Sequence, residues 1–180
     1  MKTKRISTKM EKALNEQMTR EAVQSQVYLS YASWAEVSGF PGISAFLFKH
    51  SQEERQHMFK FLEFINDRGG KAKIAAIDAP PADPKDIQDC LEKTLQHEFD
   101  NSKSIDAIVN LALEEKDWAT FNFGQWFVRE QIEEETLIND LLDKYQLAAR
   151  GHEKTANLYD LDRDMTAAPQ DASIPRDAKL

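Results

Sequence analysis

Cysteine is almost missing from this chain: Cys90 stands alone among 180 residues. A single cysteine excludes an internal disulfide and any Cys-x-x-Cys zinc pattern, and it fits a reducing compartment. Glycine and proline are scarce as well, with six of each, so few points force a helix to stop. Long apolar runs are also lacking. The uncharged stretch Val37 to Phe48 is twelve residues and none exceeds fourteen, against about 20 for a membrane-spanning helix. No apolar segment follows the basic opening MKTKRISTKMEK, so a secretory signal is not expected. Basic residues are in deficit, 23 against 31 acidic, for a net charge of −8. That argues against nucleic acid as a partner and makes a surface field that attracts cations. The expectation is a cytoplasmic protein with neither a membrane nor a nucleic acid as partner.

What is present points to helices. The residues are 41% hydrophobic and 30% charged, apolar positions recur at a spacing near 3.5, and strand alternation is absent. The length suits one domain with a real core. Glycine and proline gather in GFPG at 39–42, RGG at 68–70, APPADP at 79–84 and Gly151. The first helix is expected to open on a capping box, Thr8-x-x-Glu11, and to run to about Glu36. The second spans about Ile43 to Arg68, and a connection of about fourteen residues follows. Asp83-Pro84 reads as an N-cap and first-turn proline opening the third helix. The third and fourth helices must part near Glu115-Lys116-Asp117, with Asp117 as the cap. A fifth, short helix is expected over about 154–165. The domain then covers residues 1–165, and 166–180 form a flexible polar tail. Two short links and one long one give an all-α fold: an antiparallel four-helix bundle with a long crossover between helices two and three, plus a short fifth C-terminal helix.

In such a bundle each helix turns an apolar seam inward. The first seam is Leu14, Met18, Glu21, Ser25, Tyr28, Ala32, Ala35, and the second is Ile43, Leu47, His50, Glu54, His57, Phe61, Phe64. The third is Leu91, Leu95, Glu98, Ser102, Ile105, Val109. The fourth runs Phe123, Phe127, then Glu130 or Gln131, then Glu134, Ile138, Leu141. A carboxylate interrupts every seam near its middle. A lone seam glutamate is usually a helix-edge residue reaching water, and a lone histidine is more often a satisfied core residue. Four interruptions at one depth have a different meaning. Antiparallel packing brings Glu21, Glu54, Glu98 and Glu134 to one level beside His57, and four carboxylates in an apolar interior are tolerable only if protonated or neutralised. Two divalent cations neutralise four carboxylates and accept oxygen together with imidazole nitrogen. Glu54-x-x-His57 puts both groups on one helix face, in reach of a single ion.

Three blocks then carry a resemblance: NEQM at 15–18 with Glu21 and Tyr28, QEERQHM at 52–58, and TFNFGQWFVREQIEEE at 120–135. Over about residues 8–165 the chain resembles the bacterial non-haem ferritins, of the ferritin-like di-iron carboxylate superfamily. The resemblance implies a ferroxidase and iron store. Glu21, Glu54 and His57 hold a first iron, Glu54 bridges to a second, and Glu98 and Glu134 complete that one, with Gln131 nearby. Glu53, Glu130 and Glu133 match a third, looser iron site. Tyr28 is implied to bond near the iron and to supply an electron, with Trp126 and Trp34 as weaker candidates for that role beside plain packing. Two irons per subunit are implied, with dioxygen or hydrogen peroxide as oxidant, in a hollow homo-oligomeric shell of 24 subunits. Haem is not expected, because Arg55-Gln56 stands where bacterioferritins carry a haem-binding methionine. Gln131-x-x-Glu134 also replaces their second Glu-x-x-His. His50 and His97 read as structural or surface residues. Phe46, Phe48, Met58, Phe59, Leu62 and Ile65 lie off the inward seam of helix two and are expected to meet another subunit.

Overall fold

The computed structural model describes residues 3–150 and 154–167. Five helices follow in order: α1 Thr8–Val37, α2 Pro41–Asp67, α3 Ile87–Glu115, α4 Trp118–Ala148 and α5 Lys154–Ala167. Among the described residues there is no strand. The first two helices form one hairpin and α3 with α4 the other, and α5 packs against α2 and α4.

Caps set most boundaries. Ser7 caps α1, its Oγ accepting from the Met10 N–H at 2.9 Å. The cap is thus one residue before the expected Thr8, because Ser7 has the extended backbone that a cap requires. Asp117 caps α4 as expected, accepting from the Thr120 N–H. Lys116, which ends α3, takes the left-handed conformation at φ 55°, the geometry of an αL helix stop. The start of α3 departs from expectation: Asp86, not Asp83, is the cap, accepting from the Asp89 N–H at 2.9 Å. Pro84 is buried ahead of the helix, and Ile87, Cys90 and Leu91 are the residues that enter the core. Gly39, at φ 85°, turns the chain between α1 and α2.

The crossover is pinned along α1. Glu11 accepts from the Lys71 N–H and Asn15 from the Lys73 N–H, while the Asn15 amide donates to the Lys71 carbonyl. At that end of the bundle Arg68 donates to Asp117 at 2.7 Å and to the Arg5 carbonyl at 2.6 Å, joining the end of α2 to the α3–α4 turn. At the opposite end α2 has no side-chain cap of its own. Asp162 of α5 supplies one, accepting from the Gly42 N–H at 3.0 Å and the Ile43 N–H at 2.8 Å.

The core is in two apolar halves. One holds Tyr28, Tyr31, Ala35, Leu47, Leu91 and Ile138, with Trp34 and Leu158 packed on it. The other holds Met10, Met18, Phe61, Ile105, Phe123 and Phe127, with Trp126 packed on it. Between them lies a level of buried polar residues. Of the second apolar face expected on α2, Ile65 is fully buried, whereas Phe48 and Phe59 are exposed. Ile65 follows Phe61 by one turn and so shares its inward side. The tail expected over 166–180 lies outside the described residues, apart from its first two positions, which belong to α5.

Candidate metal centre

Every expected seam acid reaches the level between the two apolar halves. Glu21 is fully buried, Glu54, Glu98 and His57 nearly so, and the Glu134 side chain is 12% exposed. The charges feel one another. Burial is the main reason the carboxyl of Glu21 titrates well above its ordinary value, with repulsion from Glu54 second. Glu54 is raised by burial and then by Glu98 and Glu134, and Glu134 by burial and then by Glu98, Glu53 and Glu130. Among the described residues no lysine or arginine is buried. For counter-charge, the four carboxylates there face only the imidazoles of His50 and His57.

Two groups could each hold an ion: Glu21, Glu54 and His57; and His50, Glu53 and Glu134. In the first, His57 Nδ1 is 3.3 Å from Glu54 Oε2 and 3.9 Å from Glu21 Oε2. The i, i+3 spacing on α2 brings the first pair together, and the α1–α2 hairpin adds Glu21. Glu21 Oε2, in this group, is buried without a hydrogen-bond partner, and His57 Nε2, likewise unpartnered, faces the other way, toward Glu130.

Glu98 is held from two sides. The Tyr28 hydroxyl donates to its Oε1 and the Gln131 amide to its Oε2 at 3.1 Å. Gln131 also accepts from Asn101 at 3.2 Å, Asn101 accepts from Gln17 at 2.5 Å, and Gln17 donates to Glu21 Oε1 at 2.6 Å. This amide chain runs from Glu98 to Glu21 and fixes the rotamers of both acids. Neither Gln17 nor Asn101 was expected here. Their signal was present, since Gln17 is four residues before Glu21 and Asn101 three after Glu98, on the same helix faces.

The loose third set is not gathered as one group. Glu53 faces His50, Glu130 lies 3.9 Å from His57 Nε2, and Glu133 is exposed. His50 is neither a surface residue nor a plain core one: it is buried, and its Nδ1 lies 3.2 Å from both Glu53 Oε2 and Glu134 Oε2. His97 packs beside the rings of Tyr28 and Tyr31. Trp126 stands edge-on to the His57 ring at 5.6 Å, with the Lys60 ammonium 4.5 Å from its own ring centre. Trp34 packs in the apolar half with Tyr28.

This donor set sits on a sequence whose residues 11–148 match the family model described as a ferritin-like domain. The chain belongs to the ferritin family. A Haemophilus influenzae relative named as a probable bacterial non-heme ferritin-like protein is 38% identical over 160 residues, 89% of this chain and 95% of its own length. The bacterial non-heme ferritin of Campylobacter jejuni is 38% identical over 142 residues, 79% of this chain and 85% of its own. Among solved structures, the open-pore ferritin of Archaeoglobus fulgidus has a TM-score of 0.84 and 38% identity, covering 89% of this chain and 98% of its own. As a ferritin, the chain has the expected architecture, four long helices and a short fifth.

Proposed function

We propose that this ferritin stores iron and oxidises it at the buried carboxylate level, with Fe(II) as substrate. One observation carries the reading: Glu21, Glu54, Glu98 and Glu134 meet inside an apolar bundle beside His57, and among the described residues no buried lysine or arginine balances them. Two divalent ions supply four positive charges against four carboxylates. Glu21, Glu54 and His57 bind the first Fe(II). Glu54 bridges to the second, which Glu98 and Glu134 complete, about 3.5–4 Å away as in other paired-metal sites.

Each Fe(II) gives one electron, and dioxygen or hydrogen peroxide takes the pair with two protons. Carboxylates suit this exchange because hard oxygen donors tolerate both oxidation states and shift between terminal and bridging modes. Fe(III) then leaves for the mineral. Tyr28, bonded to Glu98, is placed to hold that ligand and to pass an electron. Gln131 orients Glu98, and Glu130 with Glu133 forms the acidic way out. The working form is a homo-oligomeric shell of 24 subunits in the cytoplasm. Residues 1–165 form the working domain, and no described helix is long and apolar enough to cross a membrane.

The test is to add Fe(II) in air to the purified protein, follow oxidation by absorbance, and size the assembly in the same sample. Stoichiometric oxidation by a large assembly is expected. A monomer or dimer that binds no Fe(II) would leave a helical interaction protein with protonated acids in its place.

A further inference from the structure

Gln24 of α1 is 5% exposed, and neither its amide nitrogen nor its amide oxygen has a hydrogen-bond partner among the described residues. Buried amides are nearly always paired, so two orphan atoms on one side chain require an account. Gln24 and His97 both line a cavity of about 320 Å³ whose described lining comes from α1 and α3. His97 Nδ1, on the α3 side, is likewise buried and unpartnered. Along α1, Gln24 stands three residues after Glu21 and four before Tyr28, about one turn from each on the same helix face. Across the gap, the His97 ring centre is 6.0 Å from that of Tyr28, whose hydroxyl bonds to Glu98. Gln24 and His97 therefore stand between this cavity and the acidic level.

We infer that this cavity binds hydrogen peroxide and passes it to the iron centre, with the Gln24 amide and His97 Nδ1 as the groups that hold it. The inference rests on the reading of the centre as a ferroxidase, and it names the oxidant that this side admits. Peroxide carries two O–H donors and two acceptor oxygens. It can pair an amide N–H, an amide carbonyl and a ring nitrogen, whether that nitrogen donates or accepts. Dioxygen has no hydrogen to give, so the carbonyl would stay unpaired. Room is not limiting, because the cavity is about 320 Å³ and one water takes about 30 Å³ of liquid. The mouth is not built for a cation such as Fe(II). Its two acids are engaged by lysines, Asp100 by Lys103 at 2.8 Å and Glu16 by Lys12 at 3.5 Å, and Arg20 adds a positive charge. At the centre the O–O bond of peroxide breaks, two Fe(II) give one electron each, and two protons complete two waters.

The test is stopped-flow oxidation of the assembled, full-length protein loaded anaerobically with Fe(II). The protein is mixed with hydrogen peroxide over a range of concentrations and, separately, with air-saturated buffer, and the protein-free reaction is subtracted. Wild type is compared with Gln24→Met, which keeps the length of the side chain and removes its donors and acceptor, and with His97→Phe, which keeps the ring and removes Nδ1. The wild-type rate should saturate with peroxide. In Gln24→Met the half-saturating peroxide concentration should rise at least about fivefold, the loss expected for two neutral hydrogen bonds, and the ratio of the rate at low peroxide to the rate in air should fall to match. His97→Phe should shift both in the same direction, and it answers the question if Gln24→Met fails to assemble. An unchanged half-saturating concentration would leave the cavity to water alone and overturn the inference. So would equal slowing by peroxide and by air, which marks a structural role. A wild type that oxidises Fe(II) in air and gains nothing from peroxide would overturn the inference and leave the ferroxidase reading standing, whereas one that oxidises Fe(II) with neither would overturn both.

Discussion

The Tyr28 hydroxyl on α1 donates a hydrogen bond to the Glu98 carboxylate on α3, inside the bundle. Tyr28 belongs to one apolar half of the core, and its hydroxyl is where that half meets the acidic level. Burial, with repulsion from Glu98, keeps the phenol protonated far above its ordinary range, so at neutral pH it is a donor. Tyr28→Phe keeps the ring packing and removes the donor. A buried oxygen left without its partner costs about 1–3 kcal/mol. The melting temperature of the metal-free protein should fall accordingly, by differential scanning calorimetry, with the assembly size unchanged. An unaltered melt would mean that the contact carries no stability.

Glu54 has a neighbour on each side, His57 at 3.3 Å and the charges of Glu21, Glu98 and Glu134. In the proposed centre Glu54 is the ligand shared by the two ions. Glu54→Ala should slow the first turnover of Fe(II) oxidation by more than about tenfold in stopped-flow absorbance, while size-exclusion chromatography shows the same assembly. Initial rates equal to wild type would remove Glu54 from the bridging role.

The metal-free protein should become less stable as pH rises. Glu21, Glu54, Glu98 and Glu134 are all raised above the ordinary 4.5, with burial the first cause in each. Groups raised in the fold hold protons that the unfolded chain releases, so their contribution is complete below 4.5 and disappears as pH climbs through the folded values. His50 acts in the opposite sense. Burial pushes its imidazole from 6.5 down to about 3, so its contribution is complete above 6.5 and is lost as pH falls. Above pH 6.5 only the carboxylates of these five groups can tilt the profile. A melting temperature that rises between pH 6.5 and 8.5 without metal would contradict this, and saturating Zn(II) should abolish the fall.

Asp162 gives α2 the cap that its own sequence withholds. Asp162→Ala should cost about 1–2 kcal/mol and speed amide hydrogen exchange at Gly42 and Ile43, leaving exchange in mid-α3 as it was. Gly42→Ala should act more strongly, because a Cβ there would lie 1.8 Å from the Asp162 carbonyl oxygen, so α5 has to move. If both variants exchange as slowly as wild type, α5 docks by other contacts.

How much of this was legible beforehand depends on range. Helix number, the two tight turns and the Asp117 cap follow from spacing and from residues within one turn of each other. The start of α3 did not, because Asp83-Pro84 and Asp86 are both good local caps. Packing chose between them by burying Pro84, Ile87 and Cys90. The cluster of Glu21, Glu54 and His57 was readable because a charged residue in an apolar seam is costly, and that cost is visible in one dimension. His50 was not, since a histidine in a seam has an ordinary neutral explanation until Glu134 is known to face it.

By itself the sequence determined four amphipathic helices, their antiparallel order and one acid per seam, since each depends on periodicity along a single helix. Only the tertiary structure decided which acids share an imidazole, that Gln17, Asn101 and Gln131 link Glu21 to Glu98, and that α5 caps α2. Those pairings depend on the axial stagger and rotation of one helix against another. A shift of about one residue, 1.5 Å along the axis, would break them while leaving every local pattern intact.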